Sequence, residues 1–137
     1  MLKSLYRFLS PRFQTLFLEY KVALKPRYGH GLPAHGRLFK IIDKQRDTYQ
    51  FWLGKIKDFA PKLQSIKKLA EEKDPSQPGW NNDFLPGLDI AALYTIIAES
   101  KPNRYVEVGS GNSTKVAYKA VKDNGLSTRI ISIDPYP

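Results

Sequence analysis

Apolar residues recur at helical intervals along the first half of the chain and at strand intervals in two short stretches of the second. Ser10-Pro11 makes a helix start, with serine as N-cap and proline at the first helical position. Phe13, Leu16, Phe17, Tyr20 and Leu24 then fall on one face of the predicted helix. Residues 25–36, KPRYGHGLPAHG, break the pattern with prolines and glycines and are expected to be a loop. A longer pattern follows over 37–72, where Leu38, Ile42, Gln45, Tyr49, Trp52, Ile56, Phe59, Leu63, Ile66 and Ala70 alternate four- and three-residue steps. That seam is apolar except at Gln45 and predicts a long helix packing on another, in this chain or in a second copy. Pro61 lies inside it and is expected to kink or split the helix near residues 57–61.

Pro75, Pro78 and Pro86 mark residues 71–87 as a second loop. The segment LDIAALYTIIAES, from Leu88, reads as a helix with Asp89 in its first turn, and KPN at 101–103 ends it. Alternation predicts a strand at 104–108, then a glycine turn, a helix over about 113–124 with Gly125 just past its end, and a second strand at 128–134. Strand, helix and strand in that order form an α/β unit whose strands are expected to run parallel through a right-handed crossover. The expected organisation is a helical region over 1–73, a linker over 74–87 and the start of an α/β domain over 88–137.

Composition sharpens this picture. At 137 residues the chain is the size of one domain, and 42% hydrophobic content with 7 Phe and 8 Tyr fits a globular protein. Its net charge of +9 is uneven: residues 1–73 hold 16 Lys/Arg and 6 Asp/Glu, and the remainder holds 6 and 7. Lysines spread singly fit a solvated helix face, although a basic half also suits an anionic partner such as nucleic acid or lipid. The charge alone does not make the partner nucleic acid. With no cysteine, disulfides, thiol nucleophiles and cysteine zinc sites are excluded, and a cytoplasmic location is the expectation. No apolar run approaches the ~20 residues of a membrane span. The basic, apolar N-terminus lacks a cleavage signal; packing on a neighbouring helix is expected, and lying on a membrane surface is the alternative.

The candidate chemistry lies in RYVEVGSGNSTKVAYKAV, residues 104–121. A glycine turn between strand and helix presents backbone N–H groups above the strand ends. Gly109 and Gly111 permit close approach of a ligand, and Ser113 or Thr114 can cap the helix. Asp134 ends the next strand, where a carboxylate can accept both hydroxyl protons of a ribose. A dinucleotide site normally has a third small residue where Thr114 stands, and Glu107 would place negative charge beside a pyrophosphate. A cationic, ribose-bearing ligand fits better.

VEVGSGNST at 106–114 followed by ISIDP at 131–135 resembles the first two cofactor motifs of class I S-adenosylmethionine-dependent methyltransferases. The GSGNST variant is similar to a bacterial subgroup reading E-x-G-S-G-x-S-T, and residues 80–97 resemble that subgroup's approach to the first strand. The resemblance covers residues 80–137. It implies a Rossmann-like sheet with S-adenosyl-L-methionine as cofactor. Glu107 is then expected near the methionine amino group, directly or through water. Gly109, Ser110, Gly111 and Asn112 supply contacts of the turn, and Asp134 binds the ribose hydroxyls. Family members build a seven-stranded sheet, whereas two strands are expected here. The sequence is therefore expected to be an N-terminal portion, inactive alone, with no assignable catalytic residue or methyl acceptor.

The alternative is a non-catalytic helical module that dimerises through 37–72 and meets an anionic partner. Other residues add little. His30 and His35 lack a nearby acid, so an exposed or backbone-bonded role is expected and no metal site. Trp80 and Phe84 could cover a pocket near the strand ends or pack in the core. Tyr49, Trp52 and Phe59 are expected in the core or a helix interface.

Overall fold

The structure, a computed structural model, describes residues 2–12, 25–29 and 31–135. The chain divides into two units, residues 1–43 and 44–137. In the first, α1 spans Leu2–Leu9 and α2 spans Gly36–Asp43. The helix expected from Phe13 to Leu24 lies outside the described residues, as does His30. Ser10 Oγ accepts the Arg12 amide at 3.3 Å, the contact an N-cap serine makes. The loop before α2 turns through Gly29 and Gly31, both at positive φ. His35 is backbone-bonded as expected: its Nδ1 accepts the Leu38 amide at 3.2 Å and caps α2, while Tyr28 packs edge-on against the imidazole.

In the second unit the order is α3 (Arg46–Asp58), α4 (Ala60–Gln64), a 3-10 turn (Leu69–Glu71), α5 (Gly87–Ser100), β1 (Arg104–Val108), α6 (Asn112–Asp123) and β2 (Arg129–Ile133). It is an α/β arrangement, with a parallel pair of strands as expected, Arg104 opposite Arg129 and Val108 opposite Ile133. Among the described residues no helix is long and apolar enough to cross a membrane.

The single long helix expected over 37–72 is not what forms. Lys44 and Gln45 interrupt it, because the polar run from Asp43 to Asp47 offers no buried face to hold a continuous helix. The break expected at Pro61 is present: α3 ends at Asp58, and the Phe59 carbonyl accepts the amides of Lys62 and Leu63. Helix stops at Gln64, and residues up to Trp80 instead form an irregular segment closed by a single bridge. There Lys68 makes a parallel bridge to Trp80, with Leu69 N donating to Trp80 O and Trp80 N to Lys67 O, both at 2.8 Å.

The seam is graded rather than continuous. Leu38, Ile42, Tyr49 and Ala70 are exposed, Ile56 and Phe59 half-buried, and Leu63 and Ile66 buried. Tyr49 is therefore not a core residue of this chain.

The core is where α5 meets α6. Ile90, Ala91, Tyr94, Ile97 and Ala98 of α5 face Val116, Ala117 and Ala120 of α6. The alanines keep the helices close, and the spacing is that of one helical face each. Tyr94 donates from its hydroxyl to Asp123 Oδ2 at 3.0 Å; burial and that carboxylate together push the phenol's pKa up. Lys62 Nζ reaches Asn124 Oδ1 at 2.6 Å, tying α4 to the end of α6. α3 joins through Lys55 and Glu99, 2.6 Å apart.

α6 ends as Gly125 foretells. Gly125 lies at φ 58°, its amide bonds to Lys122 O, and the Leu126 amide bonds to Val121 O. That pair of bonds is a Schellman motif, which turns the chain back toward β2.

Candidate functional site

Alternation along β1 puts Tyr105 and Glu107 on the sheet face covered by helix, and the parallel register brings Ile130 and Ser132 beside them. Glu107 is the centre of this face. Its Oε2 accepts from Tyr105 at 3.2 Å and Ser113 at 2.8 Å, and its Oε1 accepts from Ser132 at 2.9 Å and from Thr114. A carboxylate has about four lone-pair sites, and here each has a hydroxyl donor. Burial pushes the Glu107 pKa up, but the four donors outweigh it and hold the carboxyl below its ordinary value. The same charge, with burial as the larger cause, pushes the Tyr105 phenol up.

Above Glu107 the chain leaves the sheet. Gly109 sits at φ 90°, a conformation that disfavours side chains, while its amide continues the ladder to Ile133 O at 2.9 Å. Ser110 Oγ donates to Asp134 Oδ2 at 2.5 Å, so the turn after β1 and the acid after β2 are joined directly. Gly111 is the N-cap of α6, and its amide donates to Thr114 Oγ1 at 2.9 Å. Thr114 thus acts in the expected capping sense, reaching back from the third helical position, and Ser113 serves Glu107 instead. Asn112 is the first residue of α6 and half-buried.

Of the six residues singled out in sequence, Gly109, Ser110, Gly111 and Asn112 follow β1 in succession, and Asp134, just after β2, is joined to them through Ser110. Glu107 lies beneath the turn with its oxygens engaged. A methyl group placed at Gly109 or Gly111 meets no atom within 4 Å, so the space over the turn is open.

Residue-by-residue reading did not single out Tyr105 and Ser132 as partners of Glu107. The two-residue step from Tyr105 to Glu107 was a usable signal; the pairing with Ser132 needed the register. Nor did it foresee the cleft of about 480 Å³ beside the turn, lined in part by Ser76, Ser110, Thr114, Lys115, Tyr118 and Ile130. Ser76 is fixed there by Asp74, whose Oδ1 accepts its amide at 2.9 Å and its hydroxyl at 2.7 Å. Trp80 packs against the core, whereas Phe84 is 86% exposed. Asp89 stands in the first turn of α5, as expected.

The two glycines differ in what they tolerate. Gly109→Ala is expected to cost about 1–2 kcal/mol of stability, since alanine is strained at positive φ. Gly111 is extended, at φ 168°, with open space around it. Gly111→Ala is expected to stay within about 0.5 kcal/mol of wild type. Chemical denaturation of the two variants checks the contrast.

Comparison with protein-family models, with curated proteins and with solved structures finds no match to this chain.

Proposed function

We propose that residues 80–135 form the cofactor-binding part of a class I S-adenosylmethionine-dependent methyltransferase, built on the first β-α-β unit of a Rossmann-like sheet. The observation that carries this is the joining of the Gly109–Gly111 turn to Asp134 through Ser110 at the carboxyl ends of two parallel strands. Open α/β sheets bind ligands in that crevice.

The residues fit the cofactor's chemistry. Gly109 leaves room for a ligand against the backbone, and Asp134 is a carboxylate at ribose-binding position. Glu107 keeps negative charge under the turn, its oxygens already held by hydroxyls. Its contribution to a bound ammonium group is its field and the orientation it imposes on Ser113 and Thr114. S-adenosylmethionine supplies, when bound, a sulfonium methyl group open to in-line displacement. The residues described here bind and orient; none is assigned to the acceptor.

Support for the doubly wound reading comes from the other sheet face. Val106, Val108 and Ile133 are 56%, 89% and 58% exposed there, and an apolar outer face on parallel strands belongs to sheets covered on both sides. Calorimetric titration with S-adenosylhomocysteine tests the proposal. Saturable binding weakened by Asp134→Ala is the expected result, and absence of binding overturns it.

A further inference from the structure

The first unit carries a surface that the cofactor site does not use. Across α2, Leu38, Phe39, Ile41 and Ile42 are 54%, 51%, 55% and 56% exposed. At 100° per residue these four side chains occupy one arc of the helix, and Arg37 and Lys40 lie outside it. No described residue of α2 is buried. Four large apolar residues on eight positions, all half in solvent, are too many for a solvated helix face.

α1 repeats the composition. Tyr6, Phe8 and Leu9 are 62%, 53% and 70% exposed, and Arg7 lies on the opposite side of the helix from Leu9. Residues 1–43 contain eight Lys/Arg against two Asp/Glu.

We propose that α1 and α2 dock this protein on an anionic membrane surface, lying in the interface with their apolar arcs inserted. The two kinds of residue decide between partners. A nucleic-acid face needs cations but has no use for an arc of Leu, Phe and Ile. A helix–helix contact uses the apolar arc but leaves the charge excess without a counterpart. Acyl chains below and anionic headgroups beside the helix satisfy both at once. An eight-residue helix is about 12 Å long, far short of a span, so each lies on the surface rather than through it. Two such helices, each combining aliphatic or aromatic side chains with arginine or lysine, give the pair of signals that stable surface binding requires.

Cosedimentation of the 137-residue protein with vesicles tests this. The expected result is binding to vesicles of equal parts phosphatidylglycerol and phosphatidylcholine, much weaker binding to pure phosphatidylcholine, and release by high salt. Arg37→Glu and Lys40→Glu should each weaken binding by roughly five-fold. Ile41→Asp should weaken it further while leaving the circular dichroism of the protein unchanged, because Ile41 is exposed. Equal binding to both vesicle types, or no vesicle binding, overturns the proposal. So does binding of duplex DNA in place of vesicles, or a dimer that Ile41→Asp dissolves in a protein that ignores vesicles.

Discussion

Replacing Glu107 by leucine is expected to lower stability by about 2–4 kcal/mol, the largest effect of any single change near the site. The carboxylate accepts from Tyr105, Ser113, Thr114 and Ser132, which belong to β1, α6 and β2. Leucine leaves four hydroxyls facing an apolar side chain. Hydrogen bonds to a charged group contribute about 1.5–3 kcal/mol each. Their sum overstates the loss, because Ser132 is exposed and water can replace the carboxylate there. Glu107→Gln should cost about half as much, since its carbonyl still accepts and the hydroxyls can rotate to meet its amide.

The pH dependence separates charge from shape. The Glu107 pKa is lower in the folded protein than in the unfolded chain, whose ordinary value is 4.5. The unfolded state therefore binds more protons through this group as pH falls. Its stabilisation is fully present above the ordinary carboxylate range and is lost as pH drops through the lower folded value. Urea denaturation from pH 7 downward should show a wild-type decline that is shallower in Glu107→Gln. Parallel declines would remove the charge from the account.

Gly79→Ala is expected to cost a further large amount, about 2–4 kcal/mol, for a different reason. A Cβ there would lie 2.5 Å from Leu69 Cα and 2.8 Å from Leu69 N. Those are backbone atoms, pinned by the exchange of hydrogen bonds between residues 67–69 and Trp80, so neither strand can give way cheaply. Asn82, buried nearby, donates to Gly79 O at 3.0 Å and accepts the Phe84 and Leu85 amides, which fixes the same turn from the other side. Gly87→Ala is the control. Its Cβ would meet only Trp80 ring atoms, the nearer at 3.8 Å, an ordinary contact. Thermal or urea unfolding should show Gly79→Ala well below wild type and Gly87→Ala within about 0.5 kcal/mol of it.

These two variants also mark where sequence pattern was informative and where it was not. Local chemistry was legible. Val106 and Val108 alternate as a strand does, Gly125 stops α6 at the expected place, and Pro61 splits a helix as its missing amide demands. The meeting of the turn with Asp134 was legible too, because a turn after β1 and an acid after β2 are brought together by any parallel pairing of those strands. What escaped was set by distant contacts. The heptad spacing from Leu38 to Ala70 looked uniform, yet burial is confined to its later part, where Ile56, Phe59, Leu63 and Ile66 meet the α5–α6 core. Spacing cannot reveal that a face has nothing to pack against. Residues 65–85 looked like a helix end and a loop because the Lys68–Trp80 bridge joins positions twelve apart with no shared periodicity. Ser132 became a partner of Glu107 only through the strand register.

The central claim is that the turn at Gly109–Gly111 and the carboxylate of Asp134 act as one binding site. Isothermal titration of S-adenosylhomocysteine into wild type and Asp134→Ala tests it most directly, with Lys40→Glu, a change in the first unit, as the control. Saturable one-site binding is the predicted result, weakened roughly ten-fold or more by loss of the carboxylate and unchanged by the control. No saturable binding, or equal Kd for wild type and Asp134→Ala, contradicts the account.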